Sequence, residues 1–291
     1  MIKTILMPVD GSDNSAAAIN CGIHIAPKLE ASLTALHVID IFLIQRPMMT
    51  DSSTTVEMQP CDDSSEAVEL SLHEQADAVL KDCEDRCKTA GVSCLAKKNI
   101  GTIKSMIIDE AGNADLIVMA KNGAPHHLKE GGLIGSVTEV VIRRSGKPVM
   151  VIPESFHNIE SMGLAYDGSA SAREALALAL NISEQAKWPL TIVIVSANTT
   201  KAADLSAQVK DTAQKCPADC KVIISSGREA DEILKFIREG SVKLIVMGAY
   251  GHNRLRELIL GSTTSRIIQE SPIPVLLIRD PLKIRKRLSK R

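Results

Sequence analysis

The fold of the second half is decided by Leu244-Ile-Val-Met-Gly-Ala-Tyr-Gly-His-Asn-Arg-Leu-Arg-Glu-Leu-Ile-Leu-Gly-Ser-Thr-Thr-Ser-Arg-Ile-Ile268. This stretch opens with an apolar, β-branched run, passes Gly248 and Gly251, and after nine further residues reaches Gly261-Ser262, where a helical pattern begins. Glycines let a backbone approach a ligand closely, and the free N–H groups at a helix start favour negative charge. The order therefore predicts a strand followed by an anion cradle, with a phosphate as its ligand.

Length and composition bound the class of protein. The 291 residues are 45% hydrophobic and 24% charged with a formal net charge of −1, which is typical of a soluble protein of about two domains. The small net charge and the aromatic fraction of 2% argue against nucleic-acid binding. No apolar run approaches the roughly 18 residues that span a bilayer, and the first residues lack a signal-peptide pattern. We expect a cytoplasmic protein without nucleic-acid or membrane partners.

Apolar strand patterns alternate with helical patterns along the first half. The strand patterns lie at residues 4–9, 33–39, 92–97, 115–120 and 148–152, and the longest helical pattern at 66–90. Such alternation predicts a parallel sheet with helices on both faces and ligands at the carboxyl ends of its strands. Residues 44–65 have no periodicity and are interpreted as a loop, with a lid or a partner surface as alternatives.

Landmarks of the first half return in the same order in the second half. The matched pairs are Asp10 and Asp167, Leu33 and Leu190, Gly101 and Gly227, Leu116 and Leu244, and Pro148 and Pro274. This order indicates an internal duplication. It predicts one domain at residues 1–154, a second at 160–280, and a basic tail at 281–291 that is interpreted as a solvated terminus.

These features resemble the universal stress protein family, as two such domains in tandem that cover nearly all of the chain. The family signature, Gly-x-x-Gly followed after nine residues by Gly-Ser or Gly-Thr, is present as Gly248, Gly251, Gly261 and Ser262. The resemblance implies two tandem five-stranded parallel-sheet α/β domains of the adenine-nucleotide α-hydrolase-like type, with helices on both faces. It also implies ATP as the ligand, and ATP normally carries Mg²⁺.

The resemblance gives each site residue a contact with ATP. Asp167 would accept hydrogen bonds from the ribose, Val195 would offer backbone groups to the adenine edge, and Met247 would pack against the base or sugar. The polyphosphate would lie against Gly248, Gly251, Gly261, Ser262 and Thr263. No catalytic residue and no protein metal ligand is assigned.

The first copy of the motif departs from the signature. Ala120 stands at the place of Gly248, and eleven rather than nine residues separate Gly123 from Gly135-Ser136. The Cβ of Ala120 and a changed loop path would obstruct the phosphates. We therefore expect the first half to bind ATP weakly or not at all, with another ligand as an alternative occupant.

The seven cysteines fit reduced, packed thiols better than a disulfide framework, because they are scattered through helical and strand patterns. Two pairs, Cys83/Cys87 and Cys216/Cys220, have a spacing that puts both sulfurs on one face of a helix. A metal or redox pair would use this spacing. Since neither pair has a nearby His or second pair in sequence, we interpret both as structural or incidental.

Three hypotheses about function remain open, and one of them, a purely structural adaptor, predicts that emptying the site changes nothing. The leading hypothesis is an ATP-binding universal stress protein that regulates a stress response through nucleotide occupancy and contacts with an unidentified protein partner. The alternative is a slow ATPase or nucleotidyl-transferring enzyme of the same fold group, although the chain lacks the Gly-x-x-x-x-Gly-Lys-Ser/Thr cradle.

The last strand of each half is apolar and needs a neighbour, because an uncovered sheet edge invites pairing. These strands, 148–152 and 274–278, can pair with each other inside one chain as an internal pseudo-dimer. Two chains can still associate further as a homodimer.

Overall fold

The computed structural model describes residues 1–45, 62–123, 134–214, 220–249 and 260–279, with side chains from residue 66 onward in the second range. The first half contains β1 (Thr4–Pro8), α1 (Asp13–Lys28), β2 (Ser32–Asp40), α2 (Ile41–Ile44), α3 (Asp62–Thr89), β3 (Cys94–Gly101), α4 (Ile103–Glu110), a 3-10 turn (Ala111–Asn113), β4 (Leu116–Ala120), α5 (Ser136–Arg144) and β5 (Val149–Ile152). The second half contains β6 (Met162–Ala165), α6 (Ala170–Ala186), β7 (Leu190–Val195), α7 (Thr199–Ala213), β8 (Cys220–Ser225), α8 (Glu229–Arg238), β9 (Leu244–Gly248), α9 (Ser262–Glu270) and β10 (Val275–Ile278).

The strands form one ten-stranded sheet in the order β3-β2-β1-β4-β5-β10-β9-β6-β7-β8. Neighbouring strands within each half are parallel, whereas β5 and β10 pair antiparallel at the centre. Met150 lies directly opposite Leu276, and each is the counterpart of the other in the duplication. The predicted internal pseudo-dimer is therefore confirmed, and the two apolar strands cover each other's edges.

Helices cover both faces of this sheet, as the alternation predicts. One apolar core lies under α1, α3, α6 and α7, and the other lies under α4, α5, α8 and α9. Each core contains residues of both halves, because alternate side chains of β5 and β10 point to opposite faces. Met150 and Leu276 belong to the first core, and Val151 and Val275 to the second.

Polar and aromatic contacts also join the two halves. The His24 ring of α1 stacks on Trp188 with centroids 6.0 Å apart and planes 3° from parallel. The backbone N–H of Ile159 donates to His24 Nε2 at 3.1 Å, and Gln185 Nε2 donates to the Leu29 carbonyl at 2.6 Å. The two halves therefore form one body rather than two domains joined only by a linker.

Two elements differ from the sequence prediction by more than one residue. The strand expected at 92–97 is Cys94–Gly101, because it continues alongside the long strand β2 as far as the pair of Asp40 and Gly101. The helix expected at 66–90 begins at Asp62 and ends at Thr89. Of the segment 44–65, residues 46–61 lie outside the described ranges, as does the basic tail.

Candidate functional site

The predicted site residues of the second half collect at the carboxyl edge of its strands. Asp167 follows β6, Val195 ends β7, Met247 and Gly248 end β9, and Gly261, Ser262 and Thr263 begin α9. Strand β6 lies between β7 and β9 in the sheet. Gly251 lies outside the described residues.

The turn after β6 fixes the Asp167 carboxylate at this edge. Asp167 Oδ1 accepts a hydrogen bond from the Ser169 N–H at 2.9 Å, and the Ser169 hydroxyl accepts from the Ala172 N–H at 3.2 Å to cap α6. Gly168 has φ +78, and a Cβ there would lie 2.5 Å from Leu205 Cδ2. The Asp-Gly-Ser sequence thus orients a half-buried carboxylate and starts a helix in the same three residues.

Gly248 brings the end of β9 against the first turn of α6. A Cβ at Gly248 would lie 2.5 Å from Ser171 Oγ and 3.0 Å from the Ala172 nitrogen. Protein packing therefore requires this glycine, independently of any ligand.

The start of α9 is suited to an anion. Its N-cap residue is Gly261, so no side chain accepts from the first N–H groups of the helix. Thr264 Oγ1 donates to the Ala249 carbonyl at 3.4 Å and holds this helix start beside the end of β9. Thr263 Oγ1 donates to Glu229 Oε2 at 3.3 Å, while Ser262 is exposed. The Thr263 hydroxyl would have to leave Glu229 to contact a phosphate.

The first half contains a cavity of about 450 Å³ at the corresponding edge. Every predicted site position of the second half has a counterpart that lines this cavity: Asp10, Val38, Met119, Ala120, Gly123, Gly135, Ser136 and Val137. The volume falls within the range of small-molecule sites, and the lining is largely apolar with a few polar groups. The positions that the signature identifies in the second half therefore have counterparts that enclose a cavity in the first half.

The cavity stays open with the Cβ of Ala120 present. Thr138 Oγ1 donates to the Ala120 carbonyl at 3.0 Å, which holds the start of α5 beside the end of β4. The expected obstruction of phosphates by the longer loop stays a prediction, because residues 124–133 lie outside the described ranges.

Asp10 occupies the same turn as Asp167. Its Oδ1 accepts hydrogen bonds from the Ser12 N–H at 3.0 Å and the Ser12 hydroxyl at 2.6 Å. A Cβ at Gly123 would lie 2.8 Å from Asp10 Oδ2, so this glycine permits a close approach of the loop to the carboxylate.

Sequence reasoning missed several polar residues of this cavity, and His37 and Asp40 are the titratable ones among them. His37 Nδ1 is buried and has no hydrogen-bond partner among the described residues, and burial lowers the pKa of this imidazole. Asp40 Oδ1 accepts from the Phe42 N–H at 3.1 Å and starts α2. His37 could have been found as the polar residue of an otherwise apolar strand, since the second half has Ile194 at the equivalent position.

The fold defines a duplicated α/β protein with candidate sites at the carboxyl ends of its strands. The model of the universal stress protein family matches residues 1–153 and 158–279. The chain therefore belongs to the universal stress protein family. Within the described residues, no helix is both long and apolar enough to cross a bilayer.

Matches with known proteins agree with this assignment. The universal stress protein Slr1230 of Synechocystis is 29% identical over 289 residues, which cover 96% of this chain and 100% of that protein. The solved structure of a universal stress protein from Archaeoglobus fulgidus is 25% identical to this chain, with a TM-score of 0.73. The match covers 95% of this chain and 98% of the Archaeoglobus chain. A universal stress protein solved in complex with cAMP is 21% identical to this chain, with a TM-score of 0.37. That match covers 41% of this chain and 96% of the other chain.

Proposed function

We propose that this universal stress protein binds ATP, accompanied by Mg²⁺, in its second half and regulates a stress response through nucleotide occupancy. The observation that carries the proposal is the cavity of the first half, which is lined by the counterparts of all eight predicted site residues. In this proposal Asp167 binds the ribose, Val195 and Met247 bind the adenosine, and the start of α9 binds the phosphates through Ser262, Thr263 and backbone N–H groups. A protein partner would sense whether this edge is occupied.

The first half is proposed to take a different ligand, a nucleoside with few or no phosphates. The described lining of its cavity contains the carboxylates of Asp10 and Asp40 and no Lys or Arg, which disfavours a polyphosphate. The buried His37 Nδ1 offers an additional hydrogen-bonding atom for a base or sugar.

ATP titration of a Gly261→Val variant tests the second-half site. A Cβ at Gly261 would make only an ordinary contact, 3.7 Å from Thr264 Oγ1, and the φ of −58 suits any residue. The added side chain would occupy the space before α9, so we expect calorimetry to show at least about tenfold weaker ATP binding. Gly112→Val is the matched control, since a Cβ at Gly112 meets nothing within 4 Å. Unchanged ATP affinity in Gly261→Val would contradict the proposed phosphate position.

A pair of matched variants separates the two ligands. Asp167→Asn should weaken ATP binding, and Asp10→Asn should weaken adenosine binding, while each leaves the other ligand unaffected. An asparagine keeps the Oδ1 acceptor of each turn but lacks the charge that strengthens a bond to a ribose hydroxyl. Release of inorganic phosphate from ATP, lost in Asp167→Asn, would favour the alternative, a slow ATPase.

A further inference from the structure

Three cysteines of the first half bring their sulfurs together outside the carboxyl-edge sites. Cys83 and Cys87 lie one helical turn apart on α3, and Cys94 is the first residue of β3. All three Sγ atoms lie within 4.8 Å of one another. The sequence interpretation of Cys83 and Cys87 as structural or incidental rested on the lack of a third ligand near them in sequence, and the fold supplies that ligand from a different element.

The cluster is enclosed but lies near the rim of the sheet. Cys83 and Cys87 are fully buried, whereas Cys94 is half-buried on β3, the terminal strand of the sheet. The cluster therefore has two cysteines that are fully buried and a third, Cys94, that is partly exposed on the strand that ends the sheet.

The second half provides an internal comparison for this cluster. Gly11 lies against Val79 of α3, and Gly168 lies in the same way against Leu205 of α7, which aligns the two helices. In this alignment the counterparts of Cys83, Cys87 and Cys94 are Val209, Ala213 and Cys220. In the second half the equivalent helix, α7, has Val209 and Ala213 at these positions. The fold itself therefore does not require thiols on the helix.

We propose that Cys83, Cys87 and Cys94 bind one soft metal ion of the Cu(I) class. Thiolate donors select soft ions, and a structural zinc site needs four ligands, whereas no His, Asp or Glu joins these three cysteines among the described residues. Binding would displace the thiol protons to solvent, so the apparent affinity should increase with pH. The proposal is independent of nucleotide binding at the carboxyl edge.

Anaerobic titration of the reduced full-length chain with Cu(I), in competition with a chromophoric Cu(I) chelator, tests this site. We expect one equivalent to bind with thiolate-to-copper charge-transfer absorption and to raise the thermal midpoint of the protein. Cys83→Ser, Cys87→Ser and Cys94→Ser should each weaken binding at least tenfold. Cys220→Ser is the matched control and should bind as the unchanged chain does.

Folding and metal identity are checked separately. Far-ultraviolet circular dichroism identifies any serine variant that fails to fold, and alanine at the same position then replaces it. If Cu(I) binds the unchanged chain no better than a folded Cys83→Ala variant, the cysteines only pack the core and the proposal is wrong. One tightly bound equivalent of Zn²⁺ with no retention of Cu(I) against the chelator would also overturn the assignment.

Discussion

The two halves share a framework and most of the predicted site positions, but differ at a few residues. Both keep the Asp-Gly-Ser turn, the glycine against a covering helix, and the strand order of the sheet. The first half has Ala120, His37 and the three-cysteine cluster where the second has Gly248, Ile194 and an apolar contact. The turns and six of the eight predicted site positions have therefore been kept, and the divergence is confined to a few positions, among them Ala120 and Val137 at the site edge.

The largest loss of stability is expected at the pairing of β5 with β10, because these two strands join the halves into one sheet. Leu276 is fully buried opposite Met150, and Leu276→Ala should lower the free energy of unfolding by about 2–5 kcal/mol. Urea unfolding followed by Trp188 fluorescence reports the second half and its contact with His24, and labelling of the buried Cys21 thiol reports the first half. Both transitions should move together to a lower urea concentration.

The same substitution at an exposed position is the control for the seam. Leu70→Ala, on the exposed side of α3, should change the free energy of unfolding little. If Leu276→Ala shifts the Trp188 transition alone, the halves unfold as separate domains, and they can then be compared only as independent units.

A smaller effect is expected from exchanging the residues at the ends of β4 and β9. Gly248→Ala should cost about 1–3 kcal/mol, because its Cβ would overlap Ser171 Oγ and the backbone of Ala172. Ala120→Gly should cost about 0.5–1 kcal/mol, the usual penalty for glycine within a strand or helix. A Gly248→Ala variant that is as stable in urea as the unchanged chain would show that the glycine of the signature is not needed for packing, leaving its ligand as the reason for it.

The fold could be predicted from the sequence because the same strand, turn and helix patterns occur in both halves. Alternating strand and helix patterns predicted the sheet, and the Gly248-to-Ser262 signature identified positions whose first-half counterparts line a cavity. The extent of β3 was missed, since a half-buried terminal strand with Lys97 and Lys98 has no continuous apolar run. Cys94 was missed for another reason: only the packing of β3 against α3 brings it to the other two cysteines.

The smallest effect concerns His37, which gives the first half a titratable group where the second half has Ile194. Burial lowers the pKa of His37, with the Lys98 charge acting in the same direction and the Val9 backbone and Asp10 opposing it. The unfolded chain therefore binds the proton more readily, and stability is lost as the pH falls below the ordinary histidine value of about 6.5.

His37→Ile, which installs the residue of the second half, should remove this part of the acid sensitivity. Urea midpoints of the variant and the unchanged chain should differ more at pH 5.5 than at pH 7.5, with the variant relatively favoured in acid. A difference that is independent of pH would mean that His37 is equally easy to protonate in both states. The cavity of the first half would then impose no penalty on an added positive charge at this position.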